Sequence, residues 1–193
     1  MQKHKINILS TRNLPPDILQ LAAEKDIEID CISFIETKSI INGEIKDYIN
    51  QLAAQNITAV FTSMNAVDAV ADVVKGTPSW NVYCIGYATK HLVNEKLKAT
   101  IKGEADDGAA LAEEVIKNKE KEVYFFCGNR RRDELPTSLK TEGIHVHEIT
   151  VYTTNLIQQK ISKHYKAILF YSPSAVESFF SVNKAAPETV FLL

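Results

Sequence analysis

Residues 59–68 have the sequence AVFTSMNAVD, and residues 168–177 have the related sequence ILFYSPSAVE. Each stretch begins with apolar residues typical of a strand, passes through a serine and a polar turn, and continues with helical spacing. The two serines, Ser63 and Ser172, are 109 positions apart, and the residues around them align without a gap. A repeat of about a hundred residues indicates two similar α/β domains rather than a solenoid of short repeats.

Strand-like and helix-like segments alternate along most of the chain, which predicts parallel sheets covered by helices. The strand-like segments are nearly continuous apolar runs, as strands buried on both faces of a parallel sheet require. We expect strands at 5–10, 27–34, 58–63, 81–85, 122–127, 144–149 and 167–172, and helices at 16–25, 44–54, 66–74, 89–97, 108–117, 133–142 and 174–182. The sequence therefore predicts an α/β protein with two parallel-sheet domains.

The composition is that of an ordinary globular protein, with 45% apolar and 24% charged residues in 193. A net charge of −2 gives no electrostatic argument for binding nucleic acid or an anionic membrane, so we expect neither partner. Residues 1–12 contain no apolar stretch of signal-peptide length, and we expect a cytoplasmic protein. The scattered Cys31, Cys84 and Cys127 are interpreted as structural thiols, not as disulfide or metal ligands.

The turns that follow the predicted strands are the candidates for a binding site, because open parallel sheets bind ligands outside the carboxyl ends of their strands. Each turn is expected to lead into a helix whose free N–H groups can bind a carboxylate or phosphate. These turns are Ser10–Arg12, Thr62–Asn65, Ile85–Thr89, Cys127–Arg130 and Ser172–Ser174. A serine or asparagine there also has a structural interpretation as a helix cap, and Gly86 and Gly128 as tight turns. The arrival of several such turns at one end of a sheet favours a binding site.

Other polar clusters carry weaker signals. Arg130–Arg132 are interpreted either as a solvated helix start or as a clamp for carboxylates. Asp106 and Asp107 are predicted to cap the following helix. His145 and His147 share a face of a predicted strand, but no third ligand is evident, so we predict no metal site. The sequence has no phosphate-binding loop, dinucleotide fingerprint or nucleophile elbow, and we expect no cofactor.

Taken in order along the chain, these turns resemble those of uroporphyrinogen-III synthases. The matching stretches are Ser10–Arg12, Val60–Val67, Cys84–Thr89, Gly128–Leu135, Ile149–Thr153 and Phe170–Phe179. The resemblance implies two α/β domains, the second inserted into the first, with the active site in the cleft between them. Residues 1–34 and 154–193 would form the first domain and residues 40–148 the second, with 35–39 and 149–153 as paired hinge strands.

The same resemblance implies a cofactor-free reaction in haem biosynthesis, the dehydrating cyclisation of hydroxymethylbilane with inversion of its terminal pyrrole ring. Tyr152 matches the family's crossover tyrosine, which assists departure of the hydroxyl group. The resemblance further implies that the chain binds the linear tetrapyrrole. Nothing in the sequence demands an oligomer, so we expect a monomer. The implied substrate-binding residues are Arg12, Thr62, Ser63, Asn65, Gly86, Thr89, Arg130, Ser172 and Ser174.

The sequence also permits two alternative functions, and its second repeat is shorter than its first. A non-enzymatic two-domain module that binds a small polyanion would need the same turns but no acid such as Tyr152. A receiver-like domain would need acidic residues at strand ends, where Ser10 and Ser63 stand instead. Because the second repeat stops at the position equivalent to Cys84, we expect a C-terminally truncated chain that lacks a second Gly-Thr turn and its helix.

Overall fold

The structure is a computed structural model that describes residues 5–193. The chain divides into two compact units, the first made of Met1–Glu36 with Thr154–Leu193 and the second of Thr37–Thr153. Residues 1–4, which the predicted first domain includes, lie outside the described residues. Each unit contains one sheet with helices, and the second unit is inserted in the sequence of the first. The predicted fold class, α/β with two parallel-sheet domains, is confirmed.

The order of elements alternates between strands and helices almost throughout. The strands are β1 (Ile6–Ser10), β2 (Ile27–Cys31), β3 (Ile35–Ser39), β4 (Thr58–Phe61), β5 (Asn81–Ile85), β6 (Thr100–Ala105), β7 (Glu122–Gly128), β8 (His145–Leu156), β9 (Ala167–Leu169) and β10 (Val190–Leu192). The helices are α1 (Pro16–Ala23), α2 (Gly43–Ala53), α3 (Met64–Ala71), α4 (Tyr87–Leu92), α5 (Gly108–Lys117), α6 (Glu134–Thr141) and α7 (Pro173–Val182), and a π-helical turn at Val93–Leu97 follows α4.

The first unit is built on a parallel sheet with the strand order β10-β9-β1-β2. An aromatic cluster packs against it, since Phe34 and Phe170 both meet the ring of Phe179 edge-on, at centroid distances of 5.3 Å and 5.6 Å. All three rings are buried. Edge-to-face pairs of this kind add to the stability that burial alone gives.

The second unit is built on a sheet with the order β3-β8-β7-β4-β5-β6, and β4 to β8 run parallel. On one face the ring of Phe126 stacks between Phe61 and Trp80, at 5.1 Å and 5.3 Å. The other face packs against a separate buried cluster that includes Phe125 and Leu139. Burial on both faces explains why the inner strands β4, β5 and β7 have nearly continuous apolar sequences.

The strand–serine–helix repeat is present in both units. Ser63 caps α3 and accepts a hydrogen bond from the backbone N–H of Asn65 at 3.2 Å. Ser172 caps α7 in the same way, accepting from Ala175 at 3.2 Å. Both serines have extended backbone conformations, which is the usual geometry of a helix cap. Asp107 likewise caps α5, as predicted.

Several elements differ from the prediction. Strand β6, an edge strand of the second sheet, was not predicted from the sequence. Strand β8 continues from His145 to Leu156, through the segments predicted as a strand and a hinge, and β3 is its neighbour in the sheet. No helix formed by residues 5–193 is long and apolar enough to cross a membrane.

Candidate active site

Several predicted site residues of the second unit lie at the carboxyl edge of its sheet. Strands β4, β5 and β7 are parallel and in register, and the row through Phe61 is the last that all three share. Two positions beyond this row are Ser63, Gly86 and Gly128. Tyr152 of β8 pairs with Gly128, and the strands shift register at this point.

The ring of Tyr152 lies directly against Gly128. A Cβ atom on Gly128 would stand 2.4 Å from Cζ of Tyr152 and 2.8 Å from its hydroxyl oxygen, which is too close for any real side chain. Among the described glycines, only Gly76, Gly86 and Gly143 have positive φ angles. Gly128 does begin a tight turn, in which the N–H of Arg131 donates to its carbonyl at 3.3 Å. It does not have a positive φ there, and its lack of a side chain leaves space for the tyrosine ring.

The hydroxyl of Tyr152 is in a partly desolvated environment. Burial raises the pKa of Tyr152, and a hydrogen bond with the Ser63 side chain offsets part of that rise. The phenol therefore stays protonated at neutral pH. In that state it can donate a hydrogen bond or a proton to an oxygen atom that leaves a substrate, but it cannot serve as a base.

The remaining candidates of the second unit differ in accessibility. Gly86 has a φ angle of +76°, which glycine adopts readily, so here the tight-turn interpretation holds. Its N–H donates across the sheet to the carbonyl of Ala105 at 2.9 Å. Thr62 is half-buried and Asn65 is exposed in the first turn of α3. Thr89 is only 5% exposed, which leaves little of its side chain open to a ligand.

One arginine of the Arg130–Arg132 cluster forms ion pairs within the fold. Arg131 pairs with both Glu148 and Asp133, and Lys140 also reaches Glu148 at 2.7 Å. Burial opposes ionisation of Glu148, but the hydrogen bonds from these two cations prevail and lower its pKa. Arg131 is thereby fixed between α6 and β8, whereas Arg130, the predicted site residue, is exposed.

The candidates of the first unit lie at the carboxyl ends of β1 and β9. Ser10 and Leu169 are paired, and two residues further on Arg12 places its guanidinium carbon 4.0 Å from the ring centroid of Tyr171. Ser172 and Ser174, both half-buried, begin α7 directly afterwards. Tyr171 was not among the predicted site residues, although its position just before the repeated serine could have indicated it.

The structure also brings together groups whose proximity the sequence did not reveal. Glu122 lies beside His145 and His147, so the conclusion that no third ligand is evident was wrong. Cys84 and Cys127 are buried free thiols, and burial raises the pKa of each to about 11. These two cysteines therefore remain protonated at neutral pH, in line with their structural interpretation.

Comparison with known proteins identifies the family. The family model described as uroporphyrinogen-III synthase HemD matches residues 17–190. The chain belongs to this family. Uroporphyrinogen-III synthase of Saccharomyces cerevisiae is 25% identical over 175 residues, which cover 79% of this chain. The match covers 64% of the yeast protein, so the chain spans less than two thirds of the length of that relative. The predicted family resemblance is confirmed.

Solved structures of the family share the fold. A mutant uroporphyrinogen III synthase from the extremely thermophilic bacterium Thermus thermophilus is similar with a TM-score of 0.67 and 12% identity, covering 95% of this chain and 77% of that one. The enzyme from Helicobacter pylori gives a TM-score of 0.65 and 16% identity, with 96% and 82% covered. At these identities the likeness supports the two-domain fold.

Proposed function

We propose that this chain carries uroporphyrinogen-III synthase activity, the closure of hydroxymethylbilane with loss of its terminal hydroxyl and inversion of its last pyrrole ring. Membership of the family gives the reaction class. The observation that carries the proposal within this chain is the placement of Tyr152, whose ring packs on Gly128 and whose phenol stays protonated because burial raises its pKa. A fixed donor of this kind suits the departure of a hydroxyl group.

The reaction demands little covalent chemistry from the protein. Tyr152 gives a proton to the leaving hydroxyl, which departs as water, and loss of the pyrrole N–H proton leaves a reactive azafulvene and restores the phenol. Attack by the substituted carbon of the last ring forms a spiro intermediate, which fragments and closes again with that ring inverted. Because closure without assistance gives the uninverted product, the main task is to hold the chain ends in one geometry. That task needs positioned hydrogen-bond donors but neither a nucleophile nor a cofactor.

The substrate carries eight carboxylates, so we infer that the turns at the carboxyl edges act mainly as anion-binding groups. Helices α3 and α7 begin at these edges and direct free N–H groups and their positive dipole ends outward. Exposed Arg12 and Arg130 add positive charge at two further turns. The proposed binding residues are Arg12, Thr62, Ser63, Asn65, Gly86, Arg130, Ser172 and Ser174, together with Thr89, which would act through an adjacent backbone amide because its side chain is buried.

The proposed function also implies domain boundaries, a location and a partner. We infer domains at 1–34 with 154–193 and at 40–148, linked by hinge strands at 35–39 and 149–153. We also infer a cytoplasmic monomer whose partner is the linear tetrapyrrole and not a nucleic acid. The small net charge of −2 supports this choice, since it offers no broad cationic surface for a polyanion such as DNA.

The isomer ratio of the product tests the proposal. Hydroxymethylbilane is supplied to the full-length protein, and the porphyrinogens are oxidised and separated. We expect the inverted isomer from the unaltered protein, and a rate roughly a hundredfold lower or more for Tyr152→Phe, with more uninverted product. Tyr124→Phe is the matched control, because it removes a phenol hydroxyl from the same sheet four residues before Gly128.

Two results would overturn the proposal. The first is formation of only the uninverted isomer at the spontaneous rate by the unaltered protein. The second is binding of the bilane, measured by titration calorimetry, without any acceleration of ring closure. The second result would favour the alternative, a non-enzymatic module that binds a small polyanion.

A further inference from the structure

Three potential metal ligands share one face of the second sheet. His145 and His147 are two residues apart on β8, and Glu122 of the neighbouring β7 pairs in register with His145. Side chains two apart on a strand, and side chains paired across parallel strands, point to the same face of a sheet. The backbone register alone therefore places all three groups together.

The side chains are already close enough to converge on one ion. One ligand atom from each of Glu122, His145 and His147 lies within 4.8 Å of the other two. Nε2 of His147 is 2.6 Å from a carboxylate oxygen of Glu122, and the two imidazole rings meet edge-on at 4.5 Å. A tetrahedral ion with ligands at about 2.0–2.1 Å holds them about 3.3 Å apart, so small side-chain rotations would suffice.

We propose that Glu122, His145 and His147 form a binding site for one divalent transition-metal ion, and that Zn²⁺ fits it best. Two imidazoles and one carboxylate form a ligand set that zinc uses, whereas Mg²⁺ and Ca²⁺ prefer oxygen ligands only. Glu122 and His145 are exposed, so an ion can enter and water can complete its coordination. Tyr124 stacks on His147 at 4.6 Å and holds that ring in place.

The site lies at the opposite end of its strands from Tyr152. Glu122 and His145 are the first residues of β7 and β8, while Gly128 is the last residue of β7. A bound ion would therefore link two adjacent strands at their amino ends and stabilise the sheet, since an ion that binds only the folded state raises its stability. The proposal does not depend on the synthase activity.

Zinc titration of chelator-treated protein tests the site. We expect one Zn²⁺ per chain by calorimetry, a rise in melting temperature on adding Zn²⁺, and Co²⁺ absorption bands of tetrahedral type. Glu122→Gln, His145→Ala and His147→Ala should each weaken Zn²⁺ binding by roughly tenfold or more. Far-UV circular dichroism and a melting curve establish that each variant is folded before its affinity is compared.

Two control variants separate this site from other ligands. His91→Ala removes an exposed histidine whose ring nitrogen lies 3.7 Å from Glu95, a histidine–glutamate pair outside the cluster. Cys31→Ser removes the one half-buried cysteine among three. Both should bind Zn²⁺ as the unaltered protein does. Absence of Zn²⁺ binding, or binding that survives all three cluster variants but is lost in Cys31→Ser, would overturn the proposal.

Discussion

Replacing Gly128 with alanine would test whether the position of the Tyr152 ring matters for the proposed reaction. The added Cβ would stand 2.4 Å from Cζ of Tyr152, whereas ordinary van der Waals contacts begin near 3.4 Å. The ring must therefore move by about 1 Å, because the other side of the clash is backbone at the end of β7. The substitution adds one methyl group and leaves the phenol hydroxyl in the protein.

The expected effects differ in size for stability and for activity. Overpacking of this kind costs about 1–3 kcal/mol, and replacing glycine returns about 0.4–1 kcal/mol by restricting the unfolded chain. Gly128→Ala should therefore lower the free energy of unfolding by roughly 0.5–2 kcal/mol. A catalytic group displaced by about 1 Å can lose about a hundredfold in rate, so activity should fall far more than stability.

The chain offers a closely matched control in Gly103. A Cβ there would stand 2.5 Å from Cδ1 of Tyr83, another buried tyrosine of the same sheet that belongs to no proposed site. Gly103→Ala should lose similar stability and keep its rate of ring closure. Urea denaturation gives the first quantity, and the bilane assay with separation of isomers gives the second.

One pattern of results would refute the reasoning. If Gly128→Ala loses stability like Gly103→Ala but closes the bilane at the unaltered rate and with inversion, the position of the Tyr152 ring is irrelevant to the reaction. Full retention of stability would refute the packing argument itself, because a ring in contact with Gly128 cannot accept a methyl group without cost.

Three further predictions concern stability. Burial opposes ionisation of Glu120, but hydrogen bonds from Lys102, Thr58 and Tyr83 lower its pKa. The ionised Glu120 therefore stabilises the fold fully at a pH above the ordinary glutamate pKa, and this stabilisation is lost as the pH falls through the lowered pKa of the folded state. Glu120→Gln should cost about 1.5–3 kcal/mol at pH 7 in urea denaturation and make unfolding less sensitive to acid, and an unchanged acid profile would contradict this. Ser172→Ala removes the cap of α7 and should cost about 0.5–2 kcal/mol, whereas Ser181→Ala, near the end of the same helix, should cost less. Gly86→Ala meets no atom within 4 Å but keeps a φ angle of +76° and a ψ angle of 152°, so calorimetric melting should show a loss of about 1–3 kcal/mol that comes from backbone strain alone.

Local signals explain which parts of the fold could be predicted. The caps at Ser63 and Ser172 follow from a serine placed between an apolar run and a helical pattern, and both are present. Strand β6 was missed because an edge strand has one neighbour and needs fewer apolar residues. Its sequence TIKGEA contains a lysine, a glycine and a glutamate, and Gly103 is there to make room for Tyr83.

Long-range register explains what the sequence could not reveal at the sites. That Glu122 stands beside His145 depends on which strand neighbours β8 and on its alignment, and a single sequence states neither. Gly128 is a second example, because the need for a residue without a side chain there is explained only when Tyr152 is known to be its cross-strand neighbour. In both cases the missing information was the identity of a cross-strand partner.

Because of the repeat, the two units have related carboxyl edges, but the side chains at these edges differ. The proposed function offers an explanation for this difference. The spacing of 109 places Ser63 on Ser172 and Thr62 on Tyr171, so each unit offers a capped helix start to a carboxylate. Beyond that the edges diverge, because Tyr171 holds a stacked Arg12, whereas the second unit carries Tyr152. A bilane has carboxylates along its whole length but loses a hydroxyl from one end only, so on the proposed function an acid such as Tyr152 is needed in one unit, whereas the other unit supplies anion contacts alone.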